Sequence, residues 1–322
     1  MNAKKLGWDN FFEDQLKTSD LSLIRARVSR QNTDHFMLLS EIGELTGILP
    51  GKFKGKEKED LPTVGDWVLA RKPEHLERSK VLIERVLARR NVLARTGIGQ
   101  EKRQQLMAAN IDRVFIVSGL DKEFNPRKIE RYLLLCWSLG LEPVIVLNKA
   151  DLIKNPESAL KKARAISGEV PILFLSTLTR AGEETFLSHF KAGSTNIFLG
   201  SSGVGKSSIS NMILGHENFL TGPVREKDGK GRHTTSYREL ILTDHNFVII
   251  DTPGMRGLQI LRENINLDAF QDILDLTKNC KFSNCAHLSE PDCALKQAEQ
   301  KGLISSQRLQ QFRLLSNLRE IP

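Results

Sequence analysis

The sequence predicts an α/β protein in three parts: a small antiparallel β-barrel, a parallel sheet covered by helices, and a short, mostly helical segment around a cysteine cluster. Three observations predict it. Residues 21–95 carry five short apolar runs, RARVSR, HFMLLSE, LTGILPG, VGDWVLA and KVLIERVLA, separated by Gly, Pro and charged turns, the spacing of a small barrel. From residue 111 the pattern changes to apolar runs alternating with helical periodicity, from RVFIVSGL through EPVIVLNKAD and VPILFLST to TDHNFVIIDTPG, as in a parallel sheet buried on both faces. From about residue 264 short helices surround CKFSNCAHLSEPDC.

These patterns divide the chain into a helical extension over 1–20, an OB-type RNA-binding barrel over 21–95, a nucleotide domain over 96–262 and a zinc-binding helical domain over 263–322. In the extension, Trp8, Phe11, Phe12 and Leu16 are spaced for one face of a short helix that packs on a neighbouring domain. The barrel region is strongly basic. Residues 21–110 hold 17 Lys and Arg against 11 Asp and Glu, whereas residues 265–322 hold 7 against 7. With a net charge of +8 for the chain, this excess predicts a polyanionic partner met by the barrel, through the loop KFKGKEK and Arg85, Arg89, Arg90 and Arg95. Aromatic stacking platforms are scarce there, so contacts to phosphate and shape are expected.

No window approaches the roughly eighteen uninterrupted apolar residues of a membrane span. The N-terminus has acidic residues where a signal peptide would carry an apolar core, and the expected location is the cytoplasm. Of four cysteines, three crowd into one short stretch, which in a cytosolic chain favours metal over disulfide. Cys136, alone on an apolar helical pattern, is expected in the core.

GSSGVGKS satisfies the GxxxxGK[ST] pattern, with an apolar strand before it and a helix after it. Its expected phosphate cradle is Gly200, Ser201, Ser202, Gly203, Val204, Gly205, Lys206, Ser207 and Ser208. The glycines let backbone N–H groups turn toward phosphate at a helix N-terminus, Lys206 reaches the outer phosphates, and the Ser207 hydroxyl goes to Mg2+. Downstream, DTPG follows the apolar strand FVII. Asp251 supplies a carboxylate for Mg2+ through water, and Gly254 an N–H that senses the terminal phosphate.

NKAD selects the base. The Asp151 carboxylate can accept from the ring N–H and the exocyclic amine of guanine, donors that adenine lacks. Lys149 and Ala150 are expected beside the base, Asn148 ties this loop to the phosphate loop, and the next strand ends in Ser176 and Thr177, where a backbone contact to the guanine oxygen is expected. The base loop precedes the phosphate loop, and DTPG comes last. That order is a circular permutation of an ordinary P-loop GTPase, permissible because domain termini tend to lie close together.

Cys280, Cys285, His287 and Cys293, spaced C-x4-C-x-H-x5-C, make a closed tetrahedral set for one structural Zn2+, with no open position for a catalytic water.

The permuted order, KGRHTTS before DTPG, VGDWV in the barrel, QLMAANIDRVFIVSGL and the cysteine segment together resemble the RsgA family of GTPases over nearly the whole chain. The resemblance implies a GTP hydrolase that binds the small ribosomal subunit and its rRNA and acts late in subunit maturation. It also implies that hydrolysis is slow alone and stimulated by the subunit. A monomer working beside other assembly factors is expected. Met255 follows DTPG where many GTPases use a water-orienting glutamine; His233 in KGRHTTS is the nearest polar candidate, and the resemblance implies that it is the catalytic group supporting hydrolysis. Thr234 or Thr235 supplies the switch hydroxyl, and the sequence leaves the choice between them open. A rival from another class is an RNA-binding assembly scaffold in which GTP is mainly structural.

Overall fold

The computed structural model describes residues 2–53, 55, 57, 60–72, 79–96, 104–122, 124–215, 238–251, 270–282, 285–288 and 290–320. Of the predicted site, His233, Thr234, Thr235, Gly254 and the neighbouring Met255 lie outside the described residues.

The N-terminal segment is three short pieces rather than one helix: 3-10 turns at Ala3–Leu6 and Thr18–Asp20, with a single α-turn, α1, at Asn10–Glu13 between them. Gly7 ends the first piece in the left-handed region at φ 89°, and Asp9 starts the second by accepting from the Phe11 N–H. The breaks turn Trp8 and Phe12 toward Trp67, with ring centroids 4.8 and 6.0 Å away, while Phe11 stays at the surface.

The five predicted runs form β1 (Ile24–Gln31), β2 (Phe36–Ser40), β3 (Gly43–Ile48), β4 (Trp67–Arg71) and β5 (Lys80–Val86). They close as β1-β2-β3-β5-β4-β1, with β3–β5 the one parallel pair, and register shifts at Val28/Arg30 and Leu69/Ala70 supply the bends that closure requires. Alternation along the strands sends Ala26, Val28, Phe36, Leu38, Leu45, Val68, Ala70, Val81 and Ile83 inward.

Arg27, on the opposite face of β1, is also buried, because its guanidinium donates to the carbonyls of Gly65, Leu6 and Asn110. Next to it, buried Asp66 accepts from Arg89 at 2.8 Å through both carboxylate oxygens and from the Thr63 N–H. Burial pushes the Asp66 carboxyl above its ordinary range, and Arg89 opposes that shift. Replacing Asp66 by Ala deprives the Arg89 charge of its carboxylate, although the Leu61 carbonyl still accepts from it, and we expect a loss of about 3 kcal/mol in urea unfolding followed by tryptophan fluorescence.

A two-stranded hairpin, β6 (Val92–Thr96) and β7 (Gln104–Ala109), leads into the sheet, and β6 runs across residues 95 and 96. Then follow β8 (Arg113–Gly119), α2 (Pro126–Ser138), β9 (Glu142–Asn148), α3 (Glu157–Ser167), β10 (Ile172–Leu175), α4 (Glu183–Leu187), β11 (Thr195–Leu199), α5 (Lys206–Leu214), β12 (Glu239–Leu242) and β13 (Val248–Asp251). The strand order is β10-β9-β8-β11-β13-β12. All neighbours in it are parallel except β12, which pairs antiparallel with β13. Both faces are covered, one around Val114, Ile116, Ile145 and Ile197 and the other around Phe115, Val117, Val146 and Phe198. Cys136 on α2 is fully buried, and burial pushes its thiol far up.

β12 also meets β1 at the register pair Glu239↔Arg30, which carries an ion pair, so sheet pairing continues from the nucleotide domain into the barrel. At the C-terminal end, α6 (Gln271–Thr277), α7 (Ala294–Gln300) and α8 (Ser306–Glu320) pack together, and α8 also contacts α2. Phe270, Ile273, Leu295, Leu309 and Phe312 are buried there.

Candidate nucleotide site and metal centre

In a parallel sheet the carboxyl ends of the strands share one edge, and ligands bind where the strand order reverses. Here that point lies between β8 and β11, since β8 is followed outward by β9 and β10, and β11 by β13. Asn148, Gly119, Leu199, Leu175 and Asp251 end these five strands, so the base loop, the phosphate loop and Asp251 meet along one edge despite their order in the chain.

The phosphate loop is shaped by close backbone approach. Gly200 has φ 155°, and a Cβ there would lie 2.3 Å from the Val117 carbonyl oxygen. Gly205, at φ 98°, caps α5 without any side-chain hydrogen bond, and a Cβ there would lie 2.2 Å from Asn148 Nδ2. Its lack of a side chain thus lets the base loop touch the phosphate loop, while the first N–H groups of α5 stay turned toward the loop's mouth. Lys206 Nζ donates to the carbonyls of Gly200 at 2.9 Å and Ser201 at 2.7 Å. Burial lowers its pKa to about 8, against a smaller opposite effect from Asp251, which is nearly buried at the end of β13. Ser207 follows in the first turn of α5.

The base loop is tied to this cradle twice. Fully buried Asn148 donates from Nδ2 to the Val204 carbonyl at 2.9 Å, and Lys149 donates from Nζ to the Gly203 carbonyl at 2.7 Å. Lys149 itself sits in the left-handed region at φ 61° and opens a short 3-10 turn, Ala150–Leu152, that carries Asp151 at the surface. Asp151 Oδ1 accepts from the hydroxyl of buried Ser176, which binds this loop to the end of β10. The Ser176 N–H donates to the Ala181 carbonyl at 3.0 Å. Any backbone contact from this loop to a base therefore falls to the residues after Ser176.

One group in this edge escaped the sequence reading. Asp121, just past β8, pairs with Lys149 Nζ. Its only sequence signal is its position after an apolar strand, which is shared by many surface carboxylates.

Cys280, Cys285, His287 and Cys293 bring one ligand atom each within 4.8 Å of one another, an arrangement that could hold one metal ion. The imidazole presents Nδ1 at 3.5 Å from Cys280 Sγ and 3.6 Å from Cys293 Sγ. Glu290 holds the loop in shape by accepting from the N–H groups of Ala286 and Leu288 at 3.0 and 2.9 Å, and Arg313 donates to the His287 carbonyl. Sulfur atoms bound to one ion at about 2.3 Å must lie closer than this 4.8 Å limit, so the donor set fits a tetrahedral ion with small adjustments.

A parallel sheet of this order, with the base loop, phosphate loop and Asp251 joined on one edge in rotated sequence, defines a circularly permuted P-loop GTPase. The family model described as RsgA GTPase matches residues 86–261. The small ribosomal subunit biogenesis GTPase RsgA of Syntrophotalea carbinolica is 36% identical over 97% of this chain and 88% of its own length. The protein of the same name from Methanosarcina acetivorans is 40% identical over 80% of this chain and 69% of its own. Among solved structures, YjeQ from Thermotoga maritima is similar with TM-score 0.63 and 29% identity, over 93% of this chain and 100% of that one. YloQ, a circularly permuted GTPase, shares the fold at TM-score 0.60 and 22% identity, over 95% of this chain and 99% of that one. The chain belongs to the RsgA GTPase family and is a GTP-hydrolysing enzyme.

Proposed function

We propose that this GTPase binds the small ribosomal subunit through its rRNA, acts late in the subunit's maturation beside other assembly factors, and uses hydrolysis, stimulated by the subunit, as a conformational switch. The curated relatives' name and the surplus of Lys and Arg over residues 21–110 support this reading, although Arg85, Arg89 and Arg90, expected to meet the polyanion, are instead engaged in ion pairs with Asp20, Asp66, and Asp9 and Asp112 within the chain. The observation that carries the nucleotide part is the pair of bonds from Asn148 and Lys149 to the Val204 and Gly203 carbonyls, which makes base loop and phosphate loop one rigid unit.

In this reading Asp151 accepts from guanine, Lys149 and Ala150 lie beside its ring, and an N–H after Ser176 meets its carbonyl oxygen. Residues 200–208 surround the phosphates, with Lys206 neutralising charge as it develops. Mg2+, when bound, would neutralise charge on the phosphates. Ser207, a switch threonine (Thr234 or Thr235) and Asp251 would hold it, while Gly254 would sense the terminal phosphate. His233 positions the attacking water. Loss of the terminal phosphate releases the switch loops, and the zinc-binding domain, taken as residues 263–322, moves relative to the nucleotide domain. The protein works as a cytoplasmic monomer.

The test is GTP turnover with and without small ribosomal subunits, with ATP as the base control. Subunits should raise GTP turnover by at least about a hundredfold, below the roughly 10³–10⁵ that a supplied arginine is worth, and leave ATP untouched. In the same assay His233→Ala should remove most of the stimulated rate and leave GTP affinity within about twofold. Subunit binding and turnover indifferent to the nucleotide would instead favour a scaffold.

The metal is proposed to be a single Zn2+, structural, bound as thiolates and Nδ1. Elemental analysis of unchelated protein should give close to one equivalent. Cys280→Ala should drop it below about half and lower the melting temperature, since binding such an ion is coupled to folding.

A further inference from the structure

We propose that Asp121 is a positioning residue for the guanine nucleotide, clamping the Lys149 ammonium so that the lysine's aliphatic stem stands as a fixed wall of the base site. The inference rests on the reading above that Lys149 lies beside the base.

Asp121 sits just past the end of β8, between β9 and β11, at the reversal of strand order where the nucleotide edge lies. Its backbone is held on both sides. The Leu120 N–H donates to the Asn148 carbonyl at 2.8 Å, and the Asp121 carbonyl accepts from the Phe124 N–H at 3.1 Å, just before Asn125 caps α2. From this fixed point the carboxylate meets Lys149 Nζ, whose second bond goes to the Gly203 carbonyl at 2.7 Å. The ammonium thus spans from the β8 turn to the phosphate loop, with the four-carbon stem stretched between a left-handed backbone and two anchors. The side chains are 24% and 31% exposed, so the pair is more shielded than a surface ion pair of negligible worth.

Without the carboxylate, a flexible lysine stem keeps one neutral anchor, and its ordering falls on nucleotide binding. The cost appears as lost affinity, equally for di- and triphosphate, because Lys149 meets the nucleoside half common to both.

The experiment measures Kd and dissociation rate for fluorescent GDP and a non-hydrolysable GTP analogue, with steady-state turnover. It uses the full chain and Asp121→Ala, Asp121→Asn, Lys149→Met and the Asp121→Ala/Lys149→Met double variant. Asp121→Ala should weaken both nucleotides about tenfold through faster dissociation, raise KM likewise and leave kcat within about twofold. Asp121→Asn, which keeps an acceptor but no charge, should fall between. In the Lys149→Met background Asp121→Ala should change affinity less than about twofold. Unchanged affinity in Asp121→Ala, or the same loss with Lys149 already removed, overturns the proposal, the latter whether or not the melting temperature shifts. If the unmodified chain binds no guanine nucleotide, the base-site reading itself fails, which is a different outcome from binding that ignores Asp121.

Discussion

Asp151→Asn weakens GTP by about 10²–10⁴-fold and makes the xanthine nucleotide the better ligand, because two charge-assisted hydrogen bonds are worth about 1.5–3 kcal/mol each. In the proposed site the carboxylate would accept from two donors on guanine, and an asparagine amide would present N–H groups to the same atoms. Ser176 sharpens the expectation. Its hydroxyl donates to Oδ1 of residue 151, so the asparagine keeps its carbonyl toward Ser176 and turns its amide toward the base. Guanine then meets donor against donor, whereas the second ring carbonyl of xanthine meets a matching donor. Asp151 is exposed, so the melting temperature should hold while competition binding changes its preference.

Nucleotide affinity should also fall as pH rises past about 8. Burial depresses Lys206 from its ordinary 10.5 to about 8, and bound phosphates restore the charged form. Below pH 8 the ammonium is already present and affinity is flat. Above it, binding must take up a proton, and affinity drops by about tenfold per unit toward pH 9. Lys206→Ala should be weaker throughout and lose this dependence.

The same group gives a stability prediction of opposite sign. Its folded pKa lies below the unfolded one, so the unfolded chain binds more protons between about 8 and 10.5, and Lys206 favours folding increasingly as pH rises through that window. At pH 7 the buried charge bears its full cost, partly offset by the Gly200 and Ser201 carbonyls. Lys206→Met should therefore stabilise the nucleotide-free protein at pH 7 by about 1–2 kcal/mol while abolishing tight GTP binding.

Features set by short-range pattern were legible from residue types alone. GSSGVGKS needs its glycines where another group comes close, the Val117 carbonyl at Gly200 and the Asn148 side chain at Gly205, and NKAD ends a strand whose apolar run announces burial. The barrel strands, likewise, came from local alternation, and the metal cluster from spacing. What stayed hidden is made by contacts between distant segments. Gly7 breaks an apparent helix so that Trp8 can reach Trp67, Arg30 meets Glu239 to join two sheets, and the Ser176 hydroxyl holds Asp151 while its N–H goes to the Ala181 carbonyl. Asp121 looks like any surface acid until the fold sets it against Lys149. No periodicity encodes such pairings, because each partner satisfies its own local rule.

The central claim is that loops from β9, β10, β11 and β13 form one guanine-specific site despite their rotated order. Competition binding with fluorescent GDP tests it most directly, using unlabelled GTP and ATP in the presence of Mg2+. The account predicts displacement by GTP at least about 10³-fold more effective than by ATP, since ATP leaves Asp151 facing no donor. Equal displacement by both nucleotides, or none by either, would contradict it.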